Sequence, residues 1–192
     1  MGGDAGVAVT VAAVGDILRD HPGIEVQLFV SEGALDGYLN TPALRSVADR
    51  VSSVVCGPQV DNDDKPSVAV RSKNQSSMAR AIAAVASGDA DCCVSAGNTG
   101  ALMAFGMQLL KTVPGVSRPA ICGSIPTLKG TALVLDLGAN VDCSAAQLHQ
   151  FAHLGSRNAQ RINGVENPRV KLLNVGCEVN NCLLYTSPSP RD

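Results

Sequence analysis

Aromatic side chains are scarce in this sequence of 192 residues, which contains two Tyr, three Phe and no Trp. A buried core must therefore be built mainly from Val, Leu, Ile and Ala, a composition that suits a parallel sheet covered by Ala-rich helices. Positive charge is scattered too: the net charge is −2, and no cluster of Lys and Arg occurs. Because binding to a nucleic-acid backbone needs concentrated positive charge, we expect no nucleic-acid partner.

Apolar runs long enough to cross a bilayer are absent, and the N-terminus has no basic start followed by an apolar block. Hydrophobic residues nevertheless make up 45% of the chain, which is enough for a buried core. We therefore expect a folded cytoplasmic protein.

Cys-x-x-Cys pairs are missing among the seven cysteines, which are Cys56, Cys92, Cys93, Cys122, Cys143, Cys177 and Cys182. We expect them to be small core residues in a reducing compartment rather than metal ligands or disulfide partners. The neighbours Cys92 and Cys93 are expected to point to opposite faces of a buried strand.

Helical and strand patterns alternate along the chain. The apolar spacing and capping residues predict helices over Ala8–Leu18, from Ser31 through Leu35 towards Leu39, from Ser76 or Ser77 through Ala86, and over Asn98–Val113 and Ser144–Ile162. Short apolar runs predict strands over Glu25–Val30, Val51–Cys56, Asp91–Val94, Ala120–Ile125, Thr131–Leu137 and Val170–Val175. Pro58–Pro66 is predicted to be a polar loop. This alternation predicts an α/β fold of three α/β/α layers with a mostly parallel sheet.

Both ends of the chain depart from this pattern. Met1–Asp4 enters a helix without the preceding strand that parallel α/β folds usually have. Residues 177–192 lose all periodicity, and we expect a non-native or disordered tail there. Residues 182–192 match, codon by codon, the translation of a transposase-type sequencing adapter.

The strongest local signal is Ser95-Ala96-Gly97-Asn98-Thr99-Gly100, between an apolar run and a helix. The first turn of a helix has free N–H groups and a positive dipole end, and glycines let an anion approach the backbone. The segment therefore suits phosphate or another oxyanion. An ordinary capped turn explains the spacing equally well. The segment is neither a nucleotide P-loop nor a Gly-x-Gly-x-x-Gly motif.

A second signal combines the cations Arg71 and Lys73 with the hydroxyls of Ser76 and Ser77 just ahead of a predicted helix. Such a set suits a polyanionic ligand. A solvated loop with a serine cap is the simpler interpretation of this stretch when it is taken alone.

A third signal is Lys129, followed by an apolar strand that ends in Asp136 and by Asn140 after a glycine turn. In open parallel sheets, ligands collect at the carboxyl ends of strands. An Asx turn that caps the next helix is the alternative.

His149 and His153 lie four residues apart on one predicted helix. They lack a neighbouring Glu and a third ligand at useful spacing, so we expect no metal site. The chain also has no Gly-x-Ser-x-Gly elbow and gives no Ser-His-Asp triad.

Taken together and in order, several segments resemble the bacterial phosphate acyltransferase family, the acyl-(acyl-carrier-protein):phosphate transacylases of phospholipid synthesis. These segments are Met1–Asp4, Arg71 with Ser76-Ser77-Met78, Ser95–Met103, Arg118-Pro119-Ala120, Asp136–Asp142, and Asn167-Pro168-Arg169-Val170 through Gly176. The resemblance extends from Met1 to about Gly176.

The resemblance implies transfer of a long-chain fatty acyl group from acyl carrier protein to inorganic phosphate. It also implies a fold similar to phosphotransacetylases and isocitrate/isopropylmalate dehydrogenases, a homodimer, and peripheral association with the inner membrane face. No metal or organic cofactor is expected.

Within this resemblance, residue types suggest roles. The expected phosphate cradle is Ser95, Gly97, Asn98, Thr99 and Gly100, assisted by Arg71, Lys73, Ser76 and Ser77. Lys129 and Asn140 are expected to serve the carbonyl oxygen or the phosphate. Asp4 and Asp136 are candidates to orient these groups or accept a proton.

The family continues well past Gly176, so residues 1–176 are interpreted as the N-terminal part of an incomplete domain. The missing half is expected to supply much of the dimer interface and the membrane-docking helices, and the chain alone is expected to be inactive. Two alternatives stay open: a short-chain phosphotransacetylase that uses coenzyme A, and a non-catalytic phosphate-binding domain.

Overall fold

The computed structural model describes residues 6–38, 41–128, 130–140 and 142–173. The α-helices are α1 Gly6–Asp20, α2 Pro42–Arg45, α3 Pro66–Ser72, α4 Ser77–Ser87, α5 Thr99–Leu109 and α6 Ala145–Asn163. A short 3₁₀ helix spans Ala48–Arg50. The strands are β1 Val26–Ser31, β2 Val51–Cys56, β3 Cys122–Thr127 and β4 Gly130–Leu135. The chain divides into two compact units, of which the first ends at Lys111 and the second begins at Thr112.

The parallel pair β1–β2 organises the start of the first unit, with a register that runs from Val26 opposite Val51 to Ser31 opposite Cys56. Helix α1 covers this pair with an apolar stripe, because its buried residues recur at helical spacing. The buried cluster consists of Val11, Val14, Leu18, Leu28, Val30, Leu35, Leu44 and Val47. Gly15 lets α2 lie directly against α1, since a Cβ there would collide with the main-chain carbonyl of Ala43.

Helices α3, α4 and α5 form the second core of this unit around the fully buried Phe105 of α5. The cluster is Val60, Ala69, Met78, Ala79, Ile82, Ala101 and Phe105. Its many small residues let the helices approach closely. At the start of α5, a Cβ on Gly100 would lie 2.7 Å from Cγ of Pro66 at the start of α3. The polar segments before α3 and α5 are thereby brought side by side.

The prediction of a buried strand over Asp91–Val94 is wrong. These residues are not paired with any strand that the structure describes, and the Val94 side chain is 94% exposed. An apolar run forms a strand only where a neighbour completes its backbone hydrogen bonds. The described part of the chain places no such neighbour beside it.

The cysteines are also less buried than predicted. Cys92 and Cys122 are exposed, and Cys56, Cys93 and Cys143 are half-buried, so none of these five is a core residue. Partial burial raises the pKa of the Cys56, Cys93 and Cys143 thiols, which keeps them protonated at neutral pH. Cys177 and Cys182 lie outside the described residues.

Two predicted helices of the first unit need correction, and one helix there was not predicted. The segment from Ser31 forms successive turns as far as residue 38 instead of a helix, and Leu39 lies outside the described residues. Helix α5 ends at Leu109, four residues before the predicted end at Val113, and Lys111 adopts a positive φ of 63°. Helix α3 occupies a stretch for which no helix was predicted.

In the second unit, β3 and β4 form an antiparallel pair, with Cys122 opposite Leu135 and Thr127 opposite Gly130. Thr127 and Gly130, the last pair of this register, are three positions apart in the chain. The expected single, mostly parallel sheet is therefore not what the described residues form: they contain one parallel pair and one antiparallel pair. The coarser prediction of an α/β protein with parallel strands and helices agrees with the structure.

Helix α6 packs against β4 and is defined at both ends by its own residues. Ser144 caps its start in a reciprocal capping box with Gln147, and Gly164 ends it with a φ of 66°. The predicted strand Val170–Val175 is not formed by residues 170–173, and its last two residues lie outside the described part. The whole predicted tail, 177–192, and Met1–Asp4 also lie outside it.

Candidate functional site

The turn Ser95–Gly100 is a capped helix N-terminus. The Oδ1 atom of Asn98 accepts a hydrogen bond of 2.9 Å from the backbone N–H of Ala101, and the Ser95 hydroxyl accepts one of 3.3 Å from the N–H of Gly97. Thr99 is exposed as the first residue of α5. A capped turn and an anion site are compatible here, since a single cap satisfies only one of the free N–H groups of a first turn.

The amide nitrogen of Asn98 faces the polar loop that precedes α3. It donates to the carbonyl oxygens of Asp61 at 3.2 Å, Asn62 at 2.9 Å and Asp64 at 3.0 Å. With its oxygen used by the cap, the Asn98 side chain is fully engaged by the protein. Asn98 therefore holds the turn, and its role in binding phosphate stays a prediction. The backbone N–H groups of the first turn of α5 are the groups there that suit an anion.

Lys73 joins the same loop by ion pairs. Its Nζ lies 2.6 Å from Oδ2 of Asp64 and 3.0 Å from Oδ2 of Asp61. The hydrogen bond from Lys73, with help from the backbone N–H of Asp61, lowers the pKa of Asp64. The hydrogen bonds to Asp64 and then to Asp61 raise the pKa of Lys73. Asp64 and Lys73 are consequently both charged at neutral pH.

The residues around the start of α4 differ from their predicted setting. Arg71 is exposed in the last turn of α3, a helix that was not predicted, and Lys73 is the residue that follows this helix. Ser76 is fully buried, and its hydroxyl accepts a hydrogen bond of 3.3 Å from the N–H of Ala79 as the cap of α4. Ser77 is also buried. The serine-cap interpretation thus describes what the Ser76 hydroxyl does here, and a role of either serine in binding phosphate stays a prediction.

In the second unit, the structure brings Asp136 and Asn140 together. Oδ1 of Asp136 accepts a hydrogen bond of 2.7 Å from the N–H of Ile121. Oδ2 accepts from the backbone N–H of Asn140 at 2.6 Å and from its side-chain amide at 3.1 Å. The same amide donates to the carbonyl of Pro119 at 3.0 Å. The Leu135–Asp136 peptide bond is cis. Asp136 therefore organises the turn that follows β4.

The carboxylate of Asp136 is charged by virtue of these contacts. Burial alone raises its pKa, but the hydrogen bonds from the N–H groups of Ile121 and Asn140 and from the Asn140 side chain outweigh burial and hold the pKa below its ordinary value. An acid with a lowered pKa stabilises the fold above its unfolded-state pKa of about 3.9, and this stabilisation is lost as the pH falls through the lower folded value.

Asp136→Asn is therefore expected to lower the free energy of unfolding by about 2 kcal/mol at neutral pH, because an amide cannot replace a carboxylate that accepts three hydrogen bonds. Urea unfolding of wild type and variant between pH 7 and acidic pH measures this. The difference should shrink as the pH falls below about 4, because the unfolded chain then binds a proton that the folded Asp136 carboxylate takes up only at lower pH. The exposed Asp142, changed to Asn, is the matched control. Equal, pH-independent losses in both variants would contradict the assignment.

The predicted site residues fall into two groups, and each belongs to one unit. The first unit contains Arg71, Lys73, Ser76, Ser77, Ser95, Gly97, Asn98, Thr99 and Gly100. The second unit contains Asp136 and Asn140. Asp4 and Lys129 lie outside the described residues, so their roles stay predictions.

Two residues that sequence reasoning assigned no function, Asp61 and Asp64, are at the centre of the first group. The polar loop was visible in the sequence, but its acidic residues precede Lys73 by 12 and nine positions. No helical or strand periodicity produces such separations, because they depend on how the loop closes in front of α3.

His149 and His153 lie on α6 with ring centroids 4.6 Å apart in an edge-to-face arrangement. They line a cleft of about 440 Å³ together with Arg157 and residues 114–116. Within residues 6–38, 41–128, 130–140 and 142–173, no group of three or more His, Cys, Asp or Glu is arranged to hold a metal ion. No helix in these ranges is both long and apolar enough to span a bilayer.

Comparison with known proteins identifies the family. Residues 1–184 match the model of the family described as fatty acid synthesis protein, and the chain belongs to this family. The chain is similar to the phosphate acyltransferase of Teredinibacter turnerae, with 47% identity over 180 residues that make up 94% of this chain and 53% of the relative. It is equally similar to the phosphate acyltransferases of Methylococcus capsulatus and Halorhodospira halophila. Each of these is 47% identical over 178 residues, which make up 93% of this chain and 52% of the relative.

These relatives confirm the resemblance to phosphate acyltransferases that the motifs indicate. The chain spans about half the length of the curated relatives it matches.

Proposed function

We propose that this chain is part of a phosphate acyltransferase that moves a long-chain fatty acyl group from acyl carrier protein to inorganic phosphate, and that the acyl phosphate serves phospholipid synthesis. The observation that carries the proposal is 47% identity, over nearly the whole chain, to proteins named phosphate acyltransferase. The polar arrangement at the starts of α3 and α5 supports it.

The reaction needs no covalent enzyme intermediate. A phosphate oxygen attacks the thioester carbonyl and forms a C–O bond, the tetrahedral oxyanion collapses, and the C–S bond breaks. The carrier thiolate leaves and takes up a proton. The protein must place phosphate beside the carbonyl, offset the repulsion between their negative charges and stabilise the oxyanion.

The described residues suit the first two of these tasks. Backbone N–H groups at the start of α5 would bind phosphate oxygens, in the turn that Asn98 holds. Lys73 and Arg71 would supply positive charge. In the second unit, Asp136 would orient the Asn140 amide, which Oδ2 of Asp136 contacts at 3.1 Å. Asn140 and Lys129 would then serve the carbonyl oxygen or the phosphate.

The remaining parts of the proposal concern the whole protein. It would be a cytoplasmic homodimer that associates peripherally with the membrane and uses no metal or organic cofactor. Because the chain spans about half the length of its relatives, we expect the 192 residues alone to show no turnover.

The test uses the full-length parent protein and compares thioester donors in the presence and absence of inorganic phosphate. We expect acyl phosphate, trapped as hydroxamate, from palmitoyl-acyl carrier protein and phosphate, and little acetyl phosphate from acetyl-coenzyme A. Preference for acetyl-coenzyme A would instead identify a short-chain phosphotransacetylase. Phosphate binding without cleavage of either thioester would identify a non-catalytic binding domain, and either result would overturn the proposal.

A further inference from the structure

The loop Asp61–Asp64 is closed by the carboxylate of its own last residue. Oδ2 of Asp64 accepts a hydrogen bond of 2.7 Å from the N–H of Asp61, and the N–H of Asp64 donates to the Asp61 carbonyl at 3.2 Å. These reciprocal contacts hold both ends of the loop, so the position of the Asp64 carboxylate is determined by the backbone around it.

The same carboxylate oxygen holds Lys73. Nζ of Lys73 lies 2.6 Å from it, and the two side chains are only about one-fifth exposed, at 20% and 21%. The second ion pair, from Lys73 to Asp61, is longer, at 3.0 Å, and the Asp61 side chain is 67% exposed. Water screens the exposed pair more strongly, so Asp64 is the dominant partner of the Lys73 ammonium.

The main chain of Asp64 contacts Asn98, the other residue that is predicted to bind phosphate. Its carbonyl accepts the 3.0 Å hydrogen bond from Asn98, which also caps α5. Asp64 therefore contacts Lys73 through its carboxylate and Asn98 through its carbonyl oxygen, nine and 34 positions later in the chain. Asp61 makes the same two kinds of contact, but its side chain is more exposed and both of its distances are longer, so Asp64 is the stronger link between the end of α3 and the start of α5.

From this geometry we propose that Asp64 is a positioning residue, which sets the Lys73 ammonium in a defined place relative to the N-terminus of α5 so that both engage one phosphate. The inference rests on the proposed function of the turn and of Lys73. It assigns Asp64 no contact with substrate: its effect on phosphate passes through Lys73.

The first test is Asp64→Asn in the full-length protein. The change removes the carboxylate that holds Lys73 and keeps the main-chain carbonyl that binds Asn98. We expect the KM for phosphate to rise about tenfold, the size of one lost charge-assisted contact, while kcat at saturating phosphate stays within about threefold of wild type. A fall in KM would overturn the proposal, because it would mean that Asp64 only offsets the charge of Lys73.

Asp63→Asn is the matched control. Asp63 is exposed and makes no ion pair or side-chain hydrogen bond with the described residues, and the substitution changes the loop charge by the same amount. Its KM for phosphate should stay within about twofold of wild type, as expected for a screened surface charge. If both variants raise KM equally, the loss of loop charge explains the effect and the positioning role is wrong.

A double-mutant cycle tests whether Asp64 acts through Lys73. In a Lys73→Met background, adding Asp64→Asn should change the KM for phosphate by less than about twofold, because the partner is already gone. A further tenfold rise would overturn the proposal. If Asp64→Asn does not fold at the assay temperature, Asp64→Glu replaces it: it keeps the charge but displaces the carboxylate by one methylene, and the KM should rise as well.

Calorimetric titration with inorganic phosphate separates this inference from the proposed function. Weaker binding in Asp64→Asn than in Asp63→Asn supports the positioning role even if no acyl phosphate forms from any thioester. Acyl-phosphate formation by the wild type, together with equal phosphate binding by both variants, overturns the positioning role and leaves the proposed function standing.

Discussion

Asn98→Ala is expected to lower the free energy of unfolding by about 2 kcal/mol and to reduce kcat/KM for phosphate by about 100-fold in the full-length protein. The stability loss combines a missing helix cap with the loss of the amide that donates to Asp61, Asn62 and Asp64. The activity loss follows because the turn that presents the N–H groups of α5 would no longer be fixed against the loop. Urea unfolding and steady-state kinetics with varied phosphate measure the two effects.

Two further variants separate the contributions of the Asn98 side chain. Asn98→Ser keeps an oxygen that can cap α5 but has no amide, so it should recover the part of the stability that the cap contributes without recovering phosphate affinity. Ser144→Ala removes a comparable cap from α6 and should cost about 1 kcal/mol of stability, with the KM for phosphate unchanged. Wild-type phosphate affinity and acyl-phosphate formation in Asn98→Ala would show that Asn98 is only a structural cap.

Phe105→Ala is expected to lower the free energy of unfolding by about 3–5 kcal/mol. The Phe105 ring is 1% exposed and fills the space between α3, α4 and α5, where its neighbours are mostly Ala, Val and Ile. With so few large side chains in this core, little nearby can move to fill the cavity, so the loss should lie towards the upper end. A loss of this size is a large fraction of the stability of a typical domain.

Met107→Ala is the matched control for Phe105→Ala. Met107 lies on the same helix with its side chain 38% exposed, and its truncation should cost no more than about 1 kcal/mol. Chemical unfolding, monitored by circular dichroism, measures both variants. Comparable losses in the two variants would mean that Phe105 does not fill a tightly packed core.

Elements with residue-level start and stop signals could be predicted from the sequence nearly to the residue. Helix α4 begins after the Ser76 cap and ends at Gly88, which adopts the left-handed conformation with a φ of 84°. Strand β2 has its predicted bounds, because its apolar run is short and is paired with β1. In both cases the local sequence and the tertiary structure favour the same conformation.

Elements that depend on distant partners could not be predicted. Asp91–Val94 has the composition of a buried strand, but its backbone has no strand beside it in the described part of the chain. Helix α3 begins at a proline after a loop rich in turn-forming residues, and its short apolar content gives little helical periodicity. The antiparallel pairing of β3 and β4 was not predicted either, because two apolar runs in succession fit a parallel and an antiparallel arrangement equally well when only the sequence is considered.

The candidate site also has a part that could be predicted from the sequence and a part that could not. The sequence marks Lys73 and Asn98 by residue type and position, and the structure connects both to one loop. It marks Asp136 and Asn140 as neighbours in a turn, and the structure shows their hydrogen bonds. The pairing of Lys73 with Asp64 could not be predicted, because it requires the path of the chain around the start of α3.

The contacts between the loop and Asn98 use only main-chain atoms of the loop. Asn98 contacts only the carbonyl oxygens of Asp61, Asn62 and Asp64, so its hold on the loop is independent of which side chains the loop carries. Alanine scanning of residues 61–64 would therefore remove the ion pairs to Lys73 directly, but it would affect the attachment to α5 only indirectly, through the Asp64 carboxylate that closes the loop. A change in loop length or backbone geometry, such as a one-residue deletion, would break that attachment directly from the loop side.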